Sequence, residues 1–324
     1  VTSSLPYSRG VIPLPPGVRK PNILLNMTSM PRNMGSTPNW GAKGAVAVRI
    51  TIPVAILEKK PVTITVITTT QTMNSQLVEE VGELIGEDAM WAGYAGLYGT
   101  GLNIHRSPYS GRVFEYYSED GILTGLIDAR ETVGIQSKGV YVYNKHFVLN
   151  DQENNRAGIG TWCNEQALRE IYLRAFELPI IQADAQCVMT AFNRLGAIWA
   201  GAYTELLTDW LRGEAGMSGF AVTDMYDGTY MVKVNEIVAG NDLPDNFVGE
   251  DISELKDYGP DGAKANPMVA QALRTSAKRV LNTVVNSRGM DGISQYTRVV
   301  REATWWQLTL NIAQWALGLS LIHI

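Results

Sequence analysis

The sequence predicts an α/β protein, a (β/α)8 TIM-like barrel that is incomplete or irregular at its N-terminus. Three observations carry this. From Ser75 onward short apolar strands alternate with helices, the pattern of parallel βαβ units. The strands end in polar clusters, namely His105-Arg106, Lys145-His146, Asn193-Arg194 and Thr223-Asp224. In a barrel of βα units, function gathers at the C-terminal ends of the strands. Such a barrel takes about 250 residues, and the span from Ala45 to Met290 supplies them. A doubly wound open sheet would want a Gly-rich phosphate turn after an early strand, and Gly99, Gly101 and Gly111 do not make that pattern.

Taken in order, the first 60 residues are dense in Pro, Gly and Asn and predict an extended connector. Ala45–Leu57 and Val62–Thr70 are β-branched and predict strands. A helix follows from Ser75, with Leu77, Val81, Leu84 and Ile85 on one face. AGLYGTGLNIHRSP predicts a short strand entering a polar loop, and VYVYNKHF a compact strand ending on charge. Asn164–Ile181 predicts a helix with Leu168, Ile171, Ala175 and Phe176 inward, and CVMTAF a buried strand. Thr204 is the expected cap of a helix ending near Gly213, after which GFAV leads into Thr223 and Asp224. Asn266-Pro267 opens a long helix as cap and first-turn proline. Its expected stripe is Val269, Leu273, Ala277, Val280, Leu281 and Val284, with Gly289 closing it. The expected domains are a connector and barrel start at 1–60, the barrel at 61–290, and an apolar tail at 291–324.

Composition narrows the function. With 324 residues, 45% hydrophobic and 18% charged, most of the chain is expected to fold. A net charge of −5 argues against nucleic acid as partner. Cys163 and Cys187 make no disulfide scaffold or zinc spacing, and three histidines leave little for a metal site, so neither metal nor cofactor is expected. No signal peptide is visible, and Val1 in place of an initiator Met suggests a fragment or processed chain. Bacterial cytoplasm and membrane association both stay open as locations. The stretch 303–322 lacks Asp, Glu, Lys and Arg and is long enough to span a bilayer, but Gln307, Asn311 and Gln314 interrupt it. A docking helix is the favoured reading, and membrane contact the alternative.

Asp224 is the strongest chemical candidate, because a carboxylate ending GFAV sits where a barrel projects side chains into its mouth. A loop-capping Asp is the bland alternative. Lys145 and His146 end another strand, where both can reach the mouth as the chain turns. His146 taken alone reads as a core histidine, and a Schiff-base role for Lys145 would need a desolvated pocket. Arg106 and Arg112 flank SPYSG with Glu115, Glu119 and Asp120 behind them. One Arg is expected to face substrate and the acids to tie the loop down.

Four segments in this order, GLNIHRSPYSGRVFEYYSED, KHFVLNDQE, MTAFNR and GFAVTD, resemble the barrel domain of glycoside hydrolase family 3, β-glucosidase type, over Asn74 to Asn286. Val148–Glu153 follows KHF where N-acetylglucosaminidases of the family carry a Pro-Gly-rich loop with an extra His, so the glucosidase branch is the closer likeness. The resemblance implies retaining exo-hydrolysis of terminal non-reducing β-D-glucosyl residues, with Asp224 as nucleophile and no cofactor. It also implies that Arg112, Lys145 and His146 hold sugar hydroxyls, that Met189 and Phe192 line the same subsite, and that Arg106 lies near the pocket. Trp199 and Tyr226 are the aromatic candidates for sugar stacking.

The chain departs from the family twice. The early Asp that grips the terminal sugar has no counterpart before Val62, Asn39-Trp40-Gly41 being a poor substitute. The acid/base Glu of this branch sits on a separate α/β sandwich domain, which does not fit after Met290 and is expected upstream of Val1. The rival function is therefore a catalytically impaired or inactive sugar-binding barrel fragment. A Schiff-base lyase is disfavoured for want of a dedicated phosphate or carboxylate grip.

Overall fold

The structure, a computed structural model, describes residues 54–55, 69–225, 227–245, 253–259, 261–290, 309, 312 and 315. The chain divides into two compact units, Val1–Gly289 and Met290–Ile324. In the second, Thr309, Ile312 and Trp315 are helical and exposed. The rest of the apolar stretch 303–322, and with it the membrane expectation, lies outside the described residues. Among the described residues no helix is long and apolar enough to cross a membrane.

The first unit is organised by a curled, all-parallel sheet of barrel type. Its strands are β1 (Val54–Ala55), β2 (Gly96–Leu97), β3 (Tyr141–Phe147), β5 (Cys187–Thr190), β8 (Ala221–Met225) and β9 (Leu243–Asp245), in the spatial order β1-β2-β3-β5-β8-β9. Sequential neighbours pairing in parallel through helical crossovers is the arrangement that short apolar strands alternating with helices impose. Strands β4 (Gly160–Thr161), β6 (Arg194–Leu195) and β7 (Ile198–Trp199) form a small separate sheet in the loops that follow β3 and β5.

Period-two alternation splits the main sheet into two faces. Tyr141, Tyr143, Cys187, Met189, Phe220 and Val222 pack together on one, the inner face. Val188, Ala221 and Phe147 pack on the other, against Phe176, Leu207 and Trp210 of the helices. There Phe147 stacks on Trp210 at 5.7 Å between ring centroids. Val140, Val142 and Leu97 meet Ala89 and Ile135 on that same outer side. The helical layer therefore lies outside the curl, as in a barrel.

Helix α1 (Ser75–Trp91) starts where Asn74 accepts hydrogen bonds from the Gln76 and Leu77 amides. Its buried face is Val78, Gly82, Gly86 and Ala89, not the expected one: Leu77 and Leu84 are exposed. The partner is α2 (Gly121–Ser137), capped by Asp120 on the Leu123 amide at 2.7 Å. A Cβ on Gly86 would stand 2.7 Å from the Ile135 carbonyl oxygen, and one on Gly82 or Gly134 closer still to the opposing backbone. Three glycines thus set the approach of the two helices, and hydrophobicity counting does not register them.

Helix α3 runs from Glu165 to Ala183, wound as a π-helix over Leu168–Leu173, with Asn164 capping it. Helix α4 (Glu205–Glu214) is π-wound, and the expected Thr204 cap is not there: Thr204 is itself helical and makes no side-chain cap bond. Helix α5 (Lys233–Ala239) stops at Gly240, whose φ of 106° is left-handed. Helix α6 (Pro267–Val285) begins with Asn266 accepting from the Met268 and Val269 amides, as expected, and ends at Asn286 rather than Gly289. Its buried residues are Val269, Ser276, Thr283 and Val284, while Ala277 and Leu281 of the expected stripe are exposed. The face turns because its polar residues have partners inside: Ser276 donates to Asp242 at 2.8 Å, and Thr283 lies 3.7 Å from the Cys187 sulfur.

Asp242 anchors this corner. Its carboxylate accepts from Arg212 (2.9 Å), Arg279 (3.0 Å) and the Ala221 amide (2.9 Å), tying the start of β8 to α4 and α6. Of the two strands expected early, Val54–Ala55 falls inside Ala45–Leu57 and is a strand. Of Val62–Thr70, only Thr69 and Thr70 are described, and both are in a helical turn instead.

Candidate active site

The strand ends of the first unit bring most of the expected residues together. On β3 the inner alternation Tyr141, Tyr143 reaches Lys145 next, so His146 would point away in a regular strand. The register corrects this: Lys145 pairs with Met189 but Phe147 pairs with Thr190, two steps on β3 against one on β5. The irregularity lets consecutive side chains serve one site. His146 is buried, its amide donates to Asn103 at 2.8 Å, and its Nδ1 lies 3.3 Å from the Tyr116 hydroxyl. These contacts orient the ring so that Nε2 stands 3.6 Å from Asp224 Oδ2.

Asp224 ends the inner alternation of β8, two residues after Val222. Its Oδ1 accepts from the Met225 amide at 2.8 Å, while Oδ2 is buried without a hydrogen-bond partner. Burial raises its pKa above the ordinary value; the Met225 amide and the cations Arg112, Arg156 and Lys145 pull it back. The site thus holds a carboxylate that is partly desolvated, surrounded by positive charge, and has one buried oxygen with no hydrogen-bond partner.

The surrounding cations are themselves fixed. Arg112 is buried and paired with Glu115, and lies 3.5 Å from Glu153. Lys145 Nζ donates to the Tyr98 carbonyl at 3.2 Å and lies 3.9 Å from Glu115. Arg156 bonds Glu153 at 3.0 Å and covers the Phe192 ring at 4.6 Å. Asn150 donates to Glu153 at 3.0 Å. Of the two loop arginines, Arg112 is tied down by Glu115 and its charge acts on Asp224.

Met189 is buried in the inner core, directly beside Lys145 in the strand register. Phe192 is buried under Arg156. Arg106 stands apart: it is exposed, with its guanidinium 5.8 Å from the Tyr172 ring. Trp199 is buried and donates to the Ala191 carbonyl at 2.8 Å, so its ring serves packing rather than stacking on a sugar. Tyr226 lies outside the described residues.

Several residues of the site escape a sequence reading. Asn103 and Tyr116, which set the His146 ring, carry no motif of their own. Asp245 ends β9 beside Asp224, yet Pro244 argues against a strand there; the strand forms at the sheet edge, where Pro is tolerated. Among the described residues no group of His, Cys, Asp and Glu could hold a metal ion.

Comparison with known proteins agrees with the fold. Residues 61–240 match the profile described as "Glycosyl hydrolase family 3 N terminal domain". A protein of Aspergillus flavus named "Probable beta-glucosidase I" is 41% identical over 53% of this chain and 20% of its own length. The protein of that name from Aspergillus niger is 40% identical over 53% of this chain and 21% of its own. The chain thus spans about a fifth of the length of these curated relatives. β-Glucosidase 3B from Thermotoga neapolitana, solved with α-D-glucose, superimposes with a TM-score of 0.63 at 34% identity, over 70% of this chain and 32% of that one. A Bifidobacterium adolescentis β-glucosidase of the family gives 0.64 at 31% identity, over 72% and 34%. With more than half its residues inside the family profile and its barrel strands superimposing on solved members, the chain belongs to glycosyl hydrolase family 3, through that family's N-terminal domain.

Proposed function

We propose that the Asp224 site cleaves terminal β-D-glucosidic bonds with retention, Asp224 acting as nucleophile. The observation that carries this is the unpartnered, buried Oδ2 of Asp224, 3.6 Å from His146 Nε2 and in the field of Arg112, Lys145 and Arg156. In the first step Oδ2 would bond to the anomeric carbon as the leaving-group oxygen departs with the bonding pair; water would then cleave the ester. Arg112, Lys145 and His146 would donate to the sugar hydroxyls.

The proton for the leaving group needs a separate acid. Asp227 does not fit: hydrogen bonds from Thr229 hold its carboxyl below the ordinary range, the wrong direction for a general acid. Glu153 is held by Arg112, Arg156 and Asn150. Neither described carboxylate is so placed, and we assign the acid to the part of the longer relatives that this chain does not span. This predicts that the chain turns over a dinitrophenyl β-glucoside, which needs little acid help, far better than cellobiose, for which the acid is worth about 10²–10⁴-fold. Asp224→Asn should abolish the dinitrophenyl reaction. Equal rates for the two forms would remove Asp224 from the role, and efficient cellobiose cleavage by this chain would place the acid within it.

A further inference from the structure

The last two strands of the sheet each carry a carboxylate near the C-terminal end, on the inner face. Val222 belongs to the inner core, and period two from it places Asp224 inward. Leu243 is the Cα partner of Val222, and period two from it places Asp245 inward too. Asp242, between these turns, points outward to Arg212, Arg279 and Ser276. The register advances three residues on β8 but two on β9 between the pairs Val222–Leu243 and Met225–Asp245, a bulge that keeps both aspartates on one side.

The Asp245 backbone amide donates to Thr223 Oγ1 at 2.8 Å, which fixes the strand end without using the side chain. Among the described residues no group donates a hydrogen bond to the Asp245 carboxylate. Burial, and then the charge of Asp224, raise its pKa to about 6. Burial also raises the phenol of Tyr98, just past the end of β2, and Asp245, Tyr141 and Asp224 raise it further.

A sugar hydroxyl both donates and accepts. Arg112 and Lys145 can only donate to it. Of the acceptors around the site, Glu115 and Glu153 are held by arginines, and Asp224 Oδ2 faces the reacting carbon in the reading above. We propose that Asp245 is a substrate-holding residue of the Asp224 site, its carboxyl group accepting a hydroxyl proton of the bound sugar. This rests on the sugar-binding reading of that site.

The test is glucose affinity, measured by calorimetric titration of the full 324-residue chain, its Asp245→Ala and Asp245→Asn variants, and a set of monodeoxyglucoses. Loss of a hydrogen bond to a charged acceptor predicts glucose binding weakened about 10- to 100-fold in Asp245→Ala and less in Asp245→Asn, whose amide oxygen still accepts. One deoxyglucose, lacking the hydroxyl in question, should bind wild type and Asp245→Ala equally. Unchanged glucose affinity in Asp245→Ala overturns the proposal while leaving the sugar site standing. If that variant does not fold, unchanged affinity in Asp245→Asn does the same. Absence of glucose binding by wild type overturns the sugar site and this proposal together. Intact glucose affinity with lost turnover would make Asp245 a proton-transfer group and likewise overturn it.

Discussion

Asp224 titrates against its neighbours, so the pH profile of the chain reports on them. Burial lifts its pKa, and Arg112, Arg156 and Lys145 restrain the rise. On the proposed reading the carboxylate must be ionised to attack, so the acidic limb of kcat/KM on a dinitrophenyl β-glucoside should lie above the ordinary carboxylate value. Replacing Lys145 by Met removes one restraining charge and should move that limb to higher pH, whatever it does to the rate. A limb that stays put, or moves down, would mean that Lys145 does not act on Asp224. At this scale the sequence was informative where strand ends carry charge: Asp224, Lys145 and His146 stand out for that reason, and Arg112 by motif. It did not single out Asn103 and Tyr116 within the first family segment, because a hydrogen bond across 30 residues or more leaves no local pattern. It missed Asp245 because Pro244 hides the strand that presents it.

At the scale of elements, alternation of strand and helix was legible from α1 to β8, although α2 was not singled out, and so was the cap Asn266. Helix faces were less so. Apolar counting puts Leu77 and Leu84 of α1 inward, but the helix packs on α2 through Gly82 and Gly86, and large side chains there are turned out to make room. On α6, Ser276 and Thr283 displace Ala277 and Leu281 from the buried face because buried polar partners await them. Thr204 fails as a cap because its backbone is helical and its side chain makes no cap bond. The α1–α2 contact makes a direct prediction. Gly82→Ala forces a methyl group into the Glu131 backbone and should cost about 1–3 kcal/mol by urea denaturation, despite alanine's better helix propensity. Gly213→Ala, at an exposed position of α4 where a Cβ would make only an ordinary van der Waals contact, should be neutral or slightly stabilising. Equal effects at the two sites would mean that the helices do not meet through Gly82.

For the whole first unit, the outer face of the sheet holds a charge that is costly to ionise. Asp128 is fully buried and accepts from Thr100, Thr132 (3.3 Å) and Asn144 (2.9 Å); the Tyr117 hydroxyl lies 3.1 Å from Asp128 and 2.8 Å from Glu131. Burial raises both carboxyls to about 7, with the Asp128 charge adding to the shift at Glu131. In the unfolded chain they ionise near 4. Their contribution to stability is therefore complete below about pH 4 and is lost as pH rises toward 7, on the order of a few kcal/mol. The urea midpoint should fall between pH 4.5 and 7.5, and Asp128→Asn should flatten that fall; an unchanged slope in the variant would contradict the assignment. All of this serves one arrangement, a curled parallel sheet whose inner strand ends converge on Asp224. That claim is tested most directly by trapping. A 2-deoxy-2-fluoro-β-glucoside with a dinitrophenolate leaving group needs no acid to react and slows hydrolysis of the ester it forms. Peptide mapping by mass spectrometry after incubation with the chain should place the fluoroglucosyl group on Asp224. A label on any other carboxylate, or an active chain with Asp224 unlabelled, would contradict the account.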